Sequence, residues 1–244
     1  MPTTRTETVT AHEGGTFAAT AVLPDSGRGP GVLLFQEIFG VNDFLLSKAN
    51  DLAELGYVVL CPDVFWRVTP GVSLPHDESA LQEAYGHMTA YAEQVDDADK
   101  VADLGSALDH LRELSEVDGG VAAMVYCLGG MLAFRTAAHF SPDACVSYYG
   151  SGVAGLLAAG EVPSCPTIFH FGASDPFISN DEVDAVRAGL GGRADVEVHV
   201  QPGAGHAFEN FLAEQFSNPE ATAVSWPLTV SFLERTLGGV TSAR

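Results

Sequence analysis

The sequence predicts an α/β fold, a doubly wound and mostly parallel sheet with helices on both faces. Three observations predict it. Apolar runs of strand length recur along the chain, most are continuous rather than alternating, and helix-length segments separate them. Continuous Val/Ile/Leu-rich runs belong to strands covered on both faces, and strand–helix alternation winds them together through right-handed crossovers.

Taken in order, residues 16–23 alternate and can pair with 6–10 as an antiparallel edge. The turn signal Pro24-Asp25-Ser26-Gly27 follows, and residues 31–36 are then nearly all apolar. Residues 57–61, 121–126, 144–149 and 167–171 repeat that character, and 196–200 closes the set. Between them, 42–55 carries Phe44, Leu45, Leu52 and Leu55 and ends on Gly56, suited to the left-handed position after a helix. Residues 96–116 place Val101, Leu104, Leu108, Leu111 and Leu114 at the period of a helix face. Residues 128–140, 181–190 and 221–237 are expected as the other helices. The stretch 65–94 is the least regular and is expected as an excursion over the carboxyl edge of the sheet. No repeat, low-complexity tract or linker interrupts the chain, so residues 1–244 are expected as a single domain.

Composition narrows the function classes. With 11 Lys+Arg against 32 Asp+Glu, the formal charge of the 244 residues is −21. Phosphate binding needs clustered basic side chains, so nucleic acid is not an expected partner, and anionic membranes are disfavoured by the same field. The uncharged stretches 119–134 and 144–160 are broken by glycines and are too short to span a bilayer. Cys61, Cys127, Cys145 and Cys165 stand singly, without zinc-type spacing, so reduced thiols in a cytoplasmic protein are expected. His12, His76, His87, His110, His139, His170 and His199 form no metal-ligand pattern, and neither metal nor cofactor is expected. Charge and composition leave a monomer and a small homo-oligomer equally open.

In open α/β sheets, ligands bind at the carboxyl ends of the strands, so the residues after each run carry the chemistry. Residues 121–126 lead into Cys127-Leu128-Gly129-Gly130 and a helix, a strand–tight turn–helix with a nucleophile-type residue at its apex. This is similar to the nucleophile elbow G-x-S-x-G, with Cys in place of Ser. Gly129 satisfies the position two after the apex, and Val125 departs from the Gly two before it. After 167–171 comes Gly172-Ala173-Ser174-Asp175-Pro176, and after 196–200 comes a loop holding Gly205-His206-Ala207-Phe208. Nucleophile, acid and His in that order, each at a strand's carboxyl end, is the chain order of α/β-hydrolase triads. In such a unit the His takes the thiol proton, the carboxylate fixes its tautomer, and the thiolate attacks a carbonyl carbon. Two backbone N–H donors should receive the resulting oxyanion, one from Leu128 and one from the loop after residues 31–35, where Ile38 is the candidate. Glu37 on that loop would face the nucleophile.

Several strings together resemble one family. They are Gln36-Glu37-Ile38-Phe39-Gly40-Val41-Asn42, Gly56-Tyr57 with Cys61-Pro62-Asp63, Tyr126-Cys127-Leu128-Gly129-Gly130, Tyr148-Tyr149-Gly150, residues 172–175, and Gly205-His206-Ala207-Phe208. In this order they resemble the dienelactone hydrolases (carboxymethylenebutenolidases), which are α/β-hydrolase proteins. The resemblance implies hydrolysis of a lactone or carboxylic ester, with Cys127 as nucleophile, His206 as base and Asp175 as its orienter. It also implies that Glu37 interacts with the thiol and controls its ionisation. Phe39 and Tyr85 are expected in the substrate pocket.

The departures concern substrate. The family's dienelactone-cleaving members clamp a substrate carboxylate with two arginines, and the matching positions here are Leu81 and Asn210. Neither supplies a charge, so the expected substrate is not a clamped carboxylate. Arg67 is the one arginine of the excursion that could take their place. The same residues leave other readings open: a thiol acyltransferase or amidase using the triad, and a non-catalytic protein binding small molecules on this fold. A class I amidotransferase-like domain would need a His-x-Glu pair, whereas Glu209 stands three residues after His206.

Overall fold

The chain enters the sheet at an edge. In a computed structural model that describes residues 1–238, β1 (Thr3–Thr10) and β2 (Thr16–Leu23) form an antiparallel pair with Thr10 opposite Thr16. The strands β3 (Gly29–Phe35), β4 (Val58–Pro62), β5 (Val117–Tyr126), β6 (Ala144–Tyr148), β7 (Thr167–Gly172) and β8 (Val196–Gln201) complete one sheet. Its order is β1-β2-β4-β3-β5-β6-β7-β8, and every pairing from β4 onward is parallel. The strands match the expected runs, apart from β1, which begins at Thr3 and not at residue 6, and β5, which begins earlier than residue 121 and takes in Gly119 and Gly120.

Alternate residues of the central strands feed two cores. Val32 and Leu34 of β3, with Met124 and Tyr126 of β5, face α1 (Asp43–Glu54) and α7 (Pro219–Leu237). Leu33, Phe35, Ala123 and Val125 face the opposite way, against Leu104 and Leu108 of α3 (Asp97–Glu113). All these strand residues are fully buried, which is why the runs read as continuous rather than alternating. Asn42 caps α1 by accepting from the Leu45 N–H, and Gly56, with φ +100°, ends it as the sequence predicts.

Two elements differ from expectation. The excursion is not irregular throughout: Glu78–Gln94 forms a 17-residue helix, α2, capped by Asp77. Its apolar residues are spread thinly, since one face closes on the protein and lines a cavity while the rest meets water, so no strong stripe marks it. A short helix, α5 (Val153–Ala158), follows β6 in a stretch rich in Gly and Ala, where no apolar period is visible. The helices α4 (Gly129–His139) and α6 (Asn180–Leu190) lie where the sequence predicts. Residues 239–244 of the expected domain lie outside the described residues.

Candidate active site

The site lies at the carboxyl ends of β3, β5, β7 and β8. Cys127 stands between β5 and α4 with φ +59°, a left-handed conformation that a cysteine adopts only where its surroundings impose it. Its N–H donates to the Tyr148 carbonyl at 3.1 Å and its carbonyl accepts from Gly130 at 2.8 Å, which locks the turn. The close approach of this elbow is at Gly130, against Gly150 of the loop after β6. Val125 is an ordinary buried strand residue, paired with Phe35 and Ser147.

His206 and Asp175 arrive from neighbouring loops. Gly172 at the end of β7 makes this possible, because a Cβ there would lie 2.4 Å from the Ala204 carbonyl oxygen of the loop after β8. His206 Nδ1 is 2.8 Å from Asp175 Oδ2, and His206 Nε2 is 3.0 Å from Cys127 Sγ. Asp175 Oδ1 accepts the Phe177 and Ile178 N–H groups, so the carboxylate is held in orientation. The imidazole lies between Tyr149 and Phe177, each ring centre 5.2 Å away. Burial by itself would lower the His206 pKa. The adjoining Cys127 sulfur and Asp175 carboxylate outweigh burial and push it up to about 10. Glu209, the rival orienter, is held instead by Lys48 (2.9 Å) and Ser225.

The other thiols differ in kind. Cys61, Cys145 and Cys165 are buried, and burial raises all three pKa values, that of Cys165 to about 12. Cys127 alone among the described cysteines is partly exposed.

A cavity of about 850 Å³ opens over the sulfur. Cys127, His206, Glu37, Ile38 and Leu128 line it on the sheet side, joined there by Phe39. Leu81, Tyr85 and Met88 of α2 form the facing wall. Leu128 precedes the first turn of α4, where N–H groups have no intrahelical acceptor and are free to face a ligand.

Three expectations are corrected by the structure. Asn210 is not a wall residue: it is fully buried, with Nδ2 2.9 Å from Glu37 Oε2 and Oδ1 accepting the Leu212 N–H. Arg67 does not reach the cavity, because its guanidinium makes a two-pronged contact with Asp103 at 2.7 and 3.0 Å. Glu37 does not bond to the thiol, which points to His206; Glu37 Oε2 is held by Asn210 and by His76 Nε2 at 2.6 Å. Neither spacing nor a motif links His76 to Glu37, 39 residues away, so the sequence carries no signal for this contact. No group of His, Cys, Asp and Glu suited to a metal ion occurs among the described residues.

Comparison with known proteins decides the family. The sequence pattern of the dienelactone hydrolase family matches residues 17–237. The chain belongs to that family. Among the chain's relatives, a carboxymethylenebutenolidase of Pseudomonas sp. (strain P51) is 37% identical over 228 residues, covering 93% of each chain. Another, from Pseudomonas putida, is 34% identical, covering 82% of this chain and 84% of its own. A crystal structure of a dienelactone hydrolase-like promiscuous phosphotriesterase from metagenomic libraries superposes with a TM-score of 0.77 at 26% identity, covering 96% and 99%. The fold is the α/β-hydrolase fold, and the protein is a hydrolase of the lactone and carboxylic ester class. No helix among the described residues is long and apolar enough to cross a membrane.

Proposed function

We propose that this dienelactone hydrolase family member cleaves neutral lactones or esters through a Cys127–His206–Asp175 triad. The observation that carries the reading is the unbroken contact series Sγ–Nε2 and Nδ1–Oδ2, at 3.0 and 2.8 Å, on the floor of an open cavity. The thiol proton resides on His206, whose pKa the site raises, and the Cys127 thiolate attacks the carbonyl carbon. The oxyanion that forms is received by the Ile38 and Leu128 N–H groups. The tetrahedral intermediate collapses as the C–O bond breaks, and His206 protonates the leaving alkoxide. Water, deprotonated by His206, then attacks the thioester and releases the carboxylic acid and free Cys127.

Substrate charge follows from the wall. The cavity is lined by no Lys or Arg among the described residues, while Glu37, Asp77, Glu78 and Glu214 all border it. Leu81 holds an apolar place on the wall, and Asn210 is committed to Glu37. A substrate carboxylate would be desolvated there beside acidic groups, with no Lys or Arg to pair with and the His206 charge already held by Asp175 and Cys127, at a cost of several kcal/mol.

The test is turnover of p-nitrophenyl esters and small lactones by the purified protein. Cys127→Ala and His206→Ala should each abolish it without loss of fold, and the double variant should be little worse, because members of one catalytic unit are not additive. Activity retained in His206→Ala would refute the triad.

A further inference from the structure

A second histidine–carboxylate pair faces the same cavity. His76, just before the Asp77 cap of α2, is almost fully buried, with its ring 4.2 Å from that of Phe39 and 5.9 Å from that of Phe44. Its Nε2 lies 2.6 Å from Glu37 Oε2. Its Nδ1 lies 3.3 Å from the Nδ2 of Asn42, whose Oδ1 is occupied by the Leu45 N–H, so Asn42 presents a donor to it. Accepting at Nδ1 leaves the ring proton on Nε2, where it is donated to Glu37, an assignment made from the bond network. Asn210 Nδ2 lies 2.7 Å from the same Nε2, so its own hydrogen has to be directed to Glu37 Oε2 instead of the ring. Asn210 adds a second donor to the same Oε2, at 2.9 Å. Oε1 of Glu37, buried and without a hydrogen-bond partner among the described residues, belongs to a side chain that lines the cavity beside Cys127.

We propose that His76 is a positioning residue for the nucleophile: by donating to Glu37 Oε2 it draws the carboxylate's charge away from the cavity and leaves the Cys127 thiol to pair with His206. The inference rests on Cys127 being the nucleophile. Its physical basis is simple repulsion. A bare carboxylate near a thiolate favours the thiol, and in a poorly solvated site the effect is much larger than in water. Two donors on one oxygen spread and hold that charge. The other groups facing the network cannot do this. The buried hydroxyls of Tyr126 and Tyr149 make no hydrogen bond to Glu37 or to any other group among the described residues. Glu209 is neutralised by Lys48 at 2.9 Å. Across the cavity stand His206 with Asp175, and on its wall are Asp77, Glu78 and Glu214, which are acidic and can only add to the repulsion.

The experiment is the pH profile of Cys127 alkylation by iodoacetamide, an uncharged probe whose rate reports the thiolate and needs no ester turnover. His76→Phe keeps ring packing and loses the donor; it should react about tenfold more slowly at neutral pH, with its profile displaced to higher pH. His76→Gln, which can place an amide near the Nε2 position, should recover most of the rate. Adding Glu37→Gln to His76→Phe should also recover it, because the charge being screened is gone. If His76→Phe fails to fold, His76→Asn gives the same comparison, since its amide reaches the Nδ1 position and not Glu37. Profiles that overlay the parent's, or a loss that Glu37→Gln does not restore, would overturn the proposal. Peptide mapping keeps the two readings apart: label on another cysteine refutes the nucleophile, while label on Cys127 with unchanged rates refutes only the role of His76.

Discussion

Gly130 and Gly150 meet backbone to backbone beneath the nucleophile: a Cβ on Gly130 would fall 2.0 Å from the Gly150 Cα. The first turn of α4 therefore lies directly on the loop after β6, and this contact holds the Cys127 turn at its left-handed φ of +59°. No flexible side chain is available to yield.

Gly130→Ala should thus be a severe change for one methyl group. Overpacking against side chains costs about 1–3 kcal/mol, and backbone yields less readily than side chains. Urea denaturation should show a loss of at least that size, and kcat should fall more than KM rises because the sulfur is displaced from His206. A parental denaturation midpoint with parental kcat would show that the elbow has slack which this geometry denies.

The pH dependence of turnover follows from His206. Its pKa is raised to about 10 in the folded protein, so the imidazolium persists well above neutrality and is lost as pH climbs through that value. The leaving alkoxide needs that proton, so kcat/KM should decline on the alkaline side near pH 10 rather than near the ordinary histidine value of about 6.5. Stopped assays with a lactone that is stable at high pH would check this. Asp175→Asn, which removes a charge that raises the pKa, should bring the decline to lower pH and reduce kcat.

Lys48 and Glu209 form a buried ion pair between α1 and the segment after His206, with Ser225 of α7 on the other carboxylate oxygen. Removing one partner strands a buried charge, so Lys48→Met should lower stability by about 3–5 kcal/mol. Lys48→Met with Glu209→Gln should recover much of that loss, because no unpaired charge is left. Chemical denaturation of the two variants separates the cases. Equal losses would mean that the lysine acts by packing on Trp226, whose ring centre lies 4.7 Å from Nζ.

Substrate charge can be tested at a single position. Leu81 is on the α2 wall, so Leu81→Arg introduces a cation into the cavity without disturbing the sheet. A matched neutral lactone and its carboxylate analogue should favour the neutral compound in the parent, and by a smaller margin or not at all in Leu81→Arg. The gain should weaken with salt. Asn210→Arg has no such use, since that residue is buried behind Glu37 and would have to force a guanidinium into packed space. A parental preference for the carboxylate, weakened by salt, would show that another cation serves the cavity.

What the sequence determined by itself is what local pattern and chain order encode. Continuous apolar runs specify strands buried on both faces, and Cys127, Asp175 and His206 follow their strands closely enough that the sheet alone brings them to one edge. The elbow and the end of α1 at Gly56 are likewise short-range information, whereas the order of the strands, with β3 between β4 and β5, is not. The tertiary structure decided what depends on where long segments land. Arg67 and Asn210 read alike as pocket candidates, yet one is neutralised by Asp103 and the other lies behind Glu37. His76 carries no motif and gains its place only because the excursion folds back across the sheet and presses it between Phe39 and Asn210. Spacing along a chain fixes neighbours within a turn or a strand. Contacts between residues 39 or 134 positions apart, such as those of His76 with Glu37 and Asn210, are set by packing, where many weak terms compete and no single residue type announces the result.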